Sequence, residues 1–121
     1  MALLLKDPVM NFPTEQIEEL KRIAPSLSIA SEGGYTYIFI ENLQLPDKCT
    51  PSIVDALLCP TERDGYNSRL FFASKVEGGP ARNWNGNIRV LNRNWHAMSW
   101  QVPPGLRLAE TLLVHRKALR P

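Results

Sequence analysis

Apolar residues recur at helical spacing between Thr14 and Ala24, where Ile17, Leu20, Ile23 and Ala24 share one face. Thr14 offers an N-cap hydroxyl and Glu15 a carboxylate in the first turn. Pro25 ends the helix, because the residue before a proline avoids the helical region. Leu27 and Ile29 then alternate with serines, Glu32-Gly33-Gly34 signals a turn, and Tyr35 to Ile40 is the strongest β segment of the chain. The two segments predict a hairpin. A turn at Leu45-Pro46-Asp47 leads into a strand over Ser52 to Leu58, closed by Pro60. Thr61 to Asn67 predicts a loop, and Arg69 to Ser74 a short strand. From Glu77 to Gln101 the periodicity is lost. Gly78-Gly79-Pro80 and Asn83 to Asn87 read as ordered loop, pinned by Trp84, Trp95 and Trp100, with one more short strand at Ile88 to Leu91. After Pro103-Pro104 a closing helix is predicted over Gly105 to Leu119. Its inward stripe is Leu108, Ala109, Leu112, Leu113 and Leu119, with Arg107, Glu110, Arg116 and Lys117 in water.

Strands segregated from helices in this way predict an α+β domain. Its order is an N-terminal helix, an antiparallel meander of three to four strands, a long ordered loop and a C-terminal helix. The 121 residues suit one domain spanning the whole chain, with residues 1–12 as a flexible N-terminal segment. A net charge of +2, from 14 basic and 12 acidic residues, gives no reason to expect a nucleic-acid partner. No run approaches the roughly 20 apolar residues that span a bilayer. Met1 to Lys6 is too short an apolar patch for a signal peptide, so a cytoplasmic location with reduced thiols at Cys49 and Cys59 is expected. Cys49, Cys59, His96 and His115 lack the clustered spacing of zinc ligands, and Gly78-Gly79 opens no helix behind a strand. Neither a metal nor a cofactor is expected.

Two stretches carry a likeness to a known family. Leu45-Pro46-Asp47-Lys48-Cys49-Thr50-Pro51, the strand to Leu58 and then Pro60 resemble the opening motif of a prokaryotic branch, family E, of the ubiquitin-conjugating-enzyme and RWD-like superfamily. Asn92-Arg93-Asn94-Trp95-His96-Ala97-Met98-Ser99-Trp100, followed by Pro104-Gly105, is similar to its His-x3-Trp stretch and Pro-Gly. The likeness covers about Tyr35 to Leu119. It implies a conjugating-enzyme-like fold in a bacterial ubiquitin-like modification pathway. The implied partners are a ubiquitin-like modifier, its activating enzyme and a deubiquitinase-like peptidase.

Conjugating enzymes carry the modifier's C-terminus as a thioester, which needs an exposed thiolate and an oxyanion donor. Conventional members place that cysteine in the long loop beyond a His-Pro-Asn. This chain has neither a His-Pro-Asn nor any cysteine after Cys59. The expected role is therefore non-catalytic recognition of the modifier or its activating enzyme. A catalytic alternative uses a displaced cysteine, Cys59 first and Cys49 second, with His96 as base; Cys59 also reads as a small buried hydrophobe, and Cys49 as an exposed, oxidisable residue of a polar turn. His96 reads equally as a tie between loop and sheet. The binding candidates are Trp84, Asn92, Arg93, Trp95, Ser99 and Trp100, as an aromatic platform with hydrogen-bond donors, or else as core and turn residues. His115 reads as a solvated residue at the end of the last helix. A third alternative, an RNA- or nucleotide-binding module, predicts Trp84, Arg89, Arg93 and Trp95 on one exposed face.

Overall fold

The computed structural model describes residues 12–80 and 82–120. Most of the flexible segment expected at residues 1–12 lies outside the described residues; Phe12 packs against the core. Helix α1 spans Thr14–Ile23 and helix α2 spans Leu108–Lys117. Between them, among the described residues, run six antiparallel strands: β1 Leu27–Glu32, β2 Tyr35–Gln44, β3 Ile53–Cys59, β4 Arg69–Phe72, β5 Trp84–Val90 and β6 Arg93–Met98. They form one sheet in the order β1-β2-β3-β4-β6-β5.

The α+β class is as expected, and the region from Glu77 to Gln101 corrects the expected arrangement. In place of a long loop it holds the β5–β6 hairpin, which raises the strand count above the three or four expected. Its turn is Leu91-Asn92, both at positive φ (49° and 66°), the geometry of a type I′ turn that matches strand twist. The β1–β2 hairpin uses Gly33-Gly34 in the same way, at φ 60° and 85°. There the residue types suit the backbone; a leucine in the left-handed region does not announce itself.

Alternation divides the sheet into two faces. Ile38, Ile40, Val54, Ala56, Leu58, Leu70, Phe72 and Met98 face the helices and pack with Leu20, Leu108, Leu112 and Leu119. On α1 only Leu20 is fully buried, and Ile23 is exposed. Thr14 is the first helical residue rather than the cap; Pro13 stands at the N-cap and its carbonyl accepts from Gln16 N and Ile17 N. The helices are tied end to end. Gln16 Oε1 accepts the Leu108 N–H at 3.0 Å, so α1 caps α2, and Arg107 grips Glu19 through two 3.0 Å bonds. The inward face of α2 is Leu108, Thr111, Leu112 and His115, whereas Leu113 is exposed. That corrects the predicted stripe by one position and puts a histidine in the core.

The opposite face closes on itself. Tyr37, Leu57, Cys59, Phe71, Val90, Trp95 and Ala97 make a second core on the face away from α1 and α2. Phe39 and Trp95 stand three inter-strand steps apart, about 14 Å on a flat sheet, yet their rings meet at 6.4 Å. Only strong curling brings them together. The hairpin tips also touch, with Leu91 N donating to Glu32 Oε2 at 2.6 Å.

Candidate functional site

Neither thiol is placed for nucleophilic attack. Cys59 ends β3 on the self-closed face and has no exposed surface. Burial pushes its pKa up, away from the thiolate that attack requires. Arg63 seals the same end of that core, lying 5.1 Å over both Tyr35 and Phe71 and donating to the Tyr37 hydroxyl. Cys49, read above as a turn residue, is buried at 6% exposure; its Sγ contacts the Leu119 carbonyl at 3.7 Å, and burial raises its pKa too. His96 lies on β6 opposite Phe72, a helix-facing residue, whereas Cys59 points to the other face. The sheet itself separates the proposed nucleophile from the proposed base. His96 instead rests against the β5 bulge, where a Cβ on Gly86 would come within 3.2 Å of its Nδ1.

Asn92, Arg93 and Trp95 belong to the second core and its hairpin tip. Trp95 is 1% exposed and its Nε1 donates to Val90 O at 2.9 Å, so it is a satisfied core residue. Arg93 stacks on it at 4.7 Å and approaches Asp55 at 3.8 Å. Asn92 shapes the turn and accepts from Arg89 at 3.3 Å. Trp84 packs on Phe72, 5.7 Å away on the helix side. The single exposed face of Trp84, Arg89, Arg93 and Trp95 that a nucleic-acid module requires does not form.

Trp84, Ser99 and Trp100 do come together, around Arg82. Two clefts of about 290 and 250 Å³ meet at this arginine. Asn83, Ser99 and Trp100 line the first, and Lys75, Glu77, Pro80, Trp84 and Leu119 are among the walls of the second. The guanidinium lies 4.6 Å over the Trp100 ring, and its Nε donates to Ala118 O at 3.2 Å. That fixes the side chain by its stem end while its terminal NH2 groups have no partner among the described residues. Asn83 and Ser99 continue the β5–β6 pairing through a 2.8 Å backbone bond. Asn85 Nδ2 donates to Ser99 Oγ at 3.0 Å, so the hydroxyl hydrogen is free to be donated. The Trp100 Nε1 is buried without a partner among the described residues, which costs about 1–3 kcal/mol.

The far wall is rigid because backbone touches backbone. A Cβ on Gly79 would lie 2.7 Å from Leu119 O, and one on Gly78 would lie 1.8 Å from Lys48 O. The loop carrying Glu77 to Pro80 is thereby pressed against the end of α2. The result is a narrow cleft rich in hydrogen-bond donors, over an aromatic floor. It suits a slender ligand that brings acceptors, such as an extended peptide or a carboxylate. Sequence reasoning found the two tryptophans and Ser99 but missed Arg82, since nothing sets this arginine apart from the other basic residues.

His115 is corrected as well. It is 2% exposed, not solvated, and burial, helped by the charge of Arg69, lowers its pKa to about 4. Ser68 Oγ donates to Cys59 O at 2.7 Å, so the 3.0 Å contact between Ser68 Oγ and His115 Nε2 takes its proton from the ring. This chain of bonds ties α2 to the ends of β3 and β4. Among the described residues no three His, Cys, Asp or Glu side chains gather to hold a metal ion, and no helix is long and apolar enough to cross a membrane. Compared with known proteins, the chain matches no family model, no curated protein and no solved structure.

Proposed function

We propose that this chain is a non-catalytic recognition domain of a ubiquitin-like modification pathway, with a conjugating-enzyme-like fold that has lost or never used its thioester. The cleft at Arg82 holds the extended C-terminal tail of the modifier. Arg82 and the Ser99 hydroxyl meet its carbonyls and terminal carboxylate, and Trp100 lies against its backbone. The observation that carries this reading is the pairing of two buried, protonated thiols with an open cleft lined by donors. Recognition needs the second and has no use for the first. A contact with the activating enzyme falls to the same face, because that enzyme presents the same tail. Such a pathway operates in the cytoplasm, where the reduced state of both cysteines is at home.

The test is calorimetric titration with a bacterial ubiquitin-like modifier, intact and lacking its last residues. The intact modifier binds, the shortened one binds at least about tenfold more weakly, and Arg82→Gln or Trp100→Ala reproduces that loss. Equal affinity for both forms of the modifier, or variants that bind like the parent, would remove the tail from this cleft.

A further inference from the structure

A second concave site lies beyond the α2 C-terminus from the Arg82 clefts, and its chemistry differs. It is about 650 Å³ in volume and is lined by Gln44, Leu45, Pro46, Asp47, Lys48, Arg116 and Arg120. Three cations face one carboxylate there. Among the described residues neither Lys48, Arg116 nor Arg120 lies within 4.0 Å of a carboxylate, although five such pairs form elsewhere. The Arg116 Nε is buried and has no hydrogen-bond partner among the described residues, and desolvation, together with the like charge of Arg120, depresses that guanidinium's pKa. Arg116, in the last turn of α2, and Arg120, three residues past its end, carry like charges that repel.

A helix end favours cations, which is the ordinary reason for such a cluster. It gives these guanidiniums no hydrogen-bond partner among the described residues. The terminal carbonyls are already engaged: Val114 and His115 by Ala118 N, Arg116 by Leu119 N, and Lys117 by Arg120 N. Ala118 O takes Arg82 Nε and Leu119 O takes the Cys49 thiol. Arg116 and Arg120 therefore line the cavity with guanidiniums that no described side chain or terminal carbonyl engages. A buried, unpaired arginine donor beside two further cations is the arrangement that an oxyanion completes.

We propose that this cavity binds the phosphate group of a small organic phosphate, held by Lys48, Arg116 and Arg120, with Leu45 and Pro46 against its organic body. The volume exceeds what a bare phosphate fills, and Asp47 at the rim is placed to accept from a hydroxyl of the body. This site is independent of the modifier-binding cleft.

Titration calorimetry with AMP, inorganic phosphate and adenosine tests it, on the parent and three variants. Lys48→Gly removes the side chain at a residue whose φ of 73° glycine tolerates freely. Arg120→Gln alters an exposed position, and Arg93→Gln removes a distant exposed cation as the control for bulk charge. The expected result is binding of AMP and phosphate but not adenosine. Affinity falls about tenfold in Lys48→Gly and in Arg120→Gln and is unchanged in Arg93→Gln. Circular dichroism confirms that each variant is folded. Absence of AMP binding at millimolar concentration, equal binding of adenosine, or an equal loss in all three variants would each overturn the proposal.

Discussion

Acid should loosen this fold through one residue, His115. In the folded chain burial lowers its pKa from the ordinary 6.5 to about 4, and the ring is neutral while it donates to Ser68. The unfolded chain regains the ordinary value. Between pH 6.5 and 4 the unfolded state therefore binds more protons than the folded state, and stability rises with pH across that window. The contribution is complete above about pH 6.5 and is lost as pH falls toward 4. At about 1.4 kcal/mol per pH decade the whole effect is about 3 kcal/mol, of which about 2 kcal/mol is lost between pH 7 and pH 5. His115→Gln keeps an N–H at the same reach for Ser68 Oγ but cannot titrate. Urea denaturation of both proteins at pH 7, 6 and 5 isolates the term, because the carboxylates they share cancel in the difference. The parent should lose about 2 kcal/mol more than the variant over that range. Parallel stability curves for the two proteins would contradict the placing of His115 in the core.

Other expectations concern the two cores and the thiols. Trp95→Ala empties the centre of the self-closed face and should cost about 3–5 kcal/mol, read as a lower urea midpoint; an effect below about 1 kcal/mol would mean that this face is not a true core. Gly78→Ala forces a Cβ to within 1.8 Å of Lys48 O at a φ of 93°, and should destabilise by about 2 kcal/mol or more in the same assay. Cys49 and Cys59 should react with a thiol reagent at pH 8 about a hundredfold more slowly than in urea, and a fast native phase lost in Cys59→Ser would contradict its burial.

Most of the local structure could be read from the chain, and the failures have definite causes. The β1–β2 hairpin was legible because Gly33-Gly34 supplies the backbone that a two-residue turn requires. The β5–β6 hairpin was not, because its apparent turn is elsewhere. Asn85-Gly86-Asn87 looks like a turn but forms the bulge against His96, while the real turn uses Leu91 in a left-handed conformation. β5 is an edge strand whose middle is exposed, so no alternation marks it. On α2 the eye follows the leucines to Leu113, yet the packed face runs through Thr111 and His115, polar residues that find partners inside. Of the candidate site, the aromatic residues were visible as types, but only the fold distinguishes Trp95 in a core from Trp100 beneath Arg82. Cys49 looked like a turn residue because its burial depends on Leu119, 70 positions away.

The most direct test of recognition without catalysis is a charging assay with the modifier, its activating enzyme and ATP, run on the parent, Cys49→Ser and Cys59→Ser. The expected result is no reductant-sensitive adduct on any of the three, together with saturable binding of the modifier that both serine variants retain. A thioester on the parent that disappears in Cys59→Ser or Cys49→Ser would contradict it, and would mean that one of the two buried sulfurs reaches the surface to react.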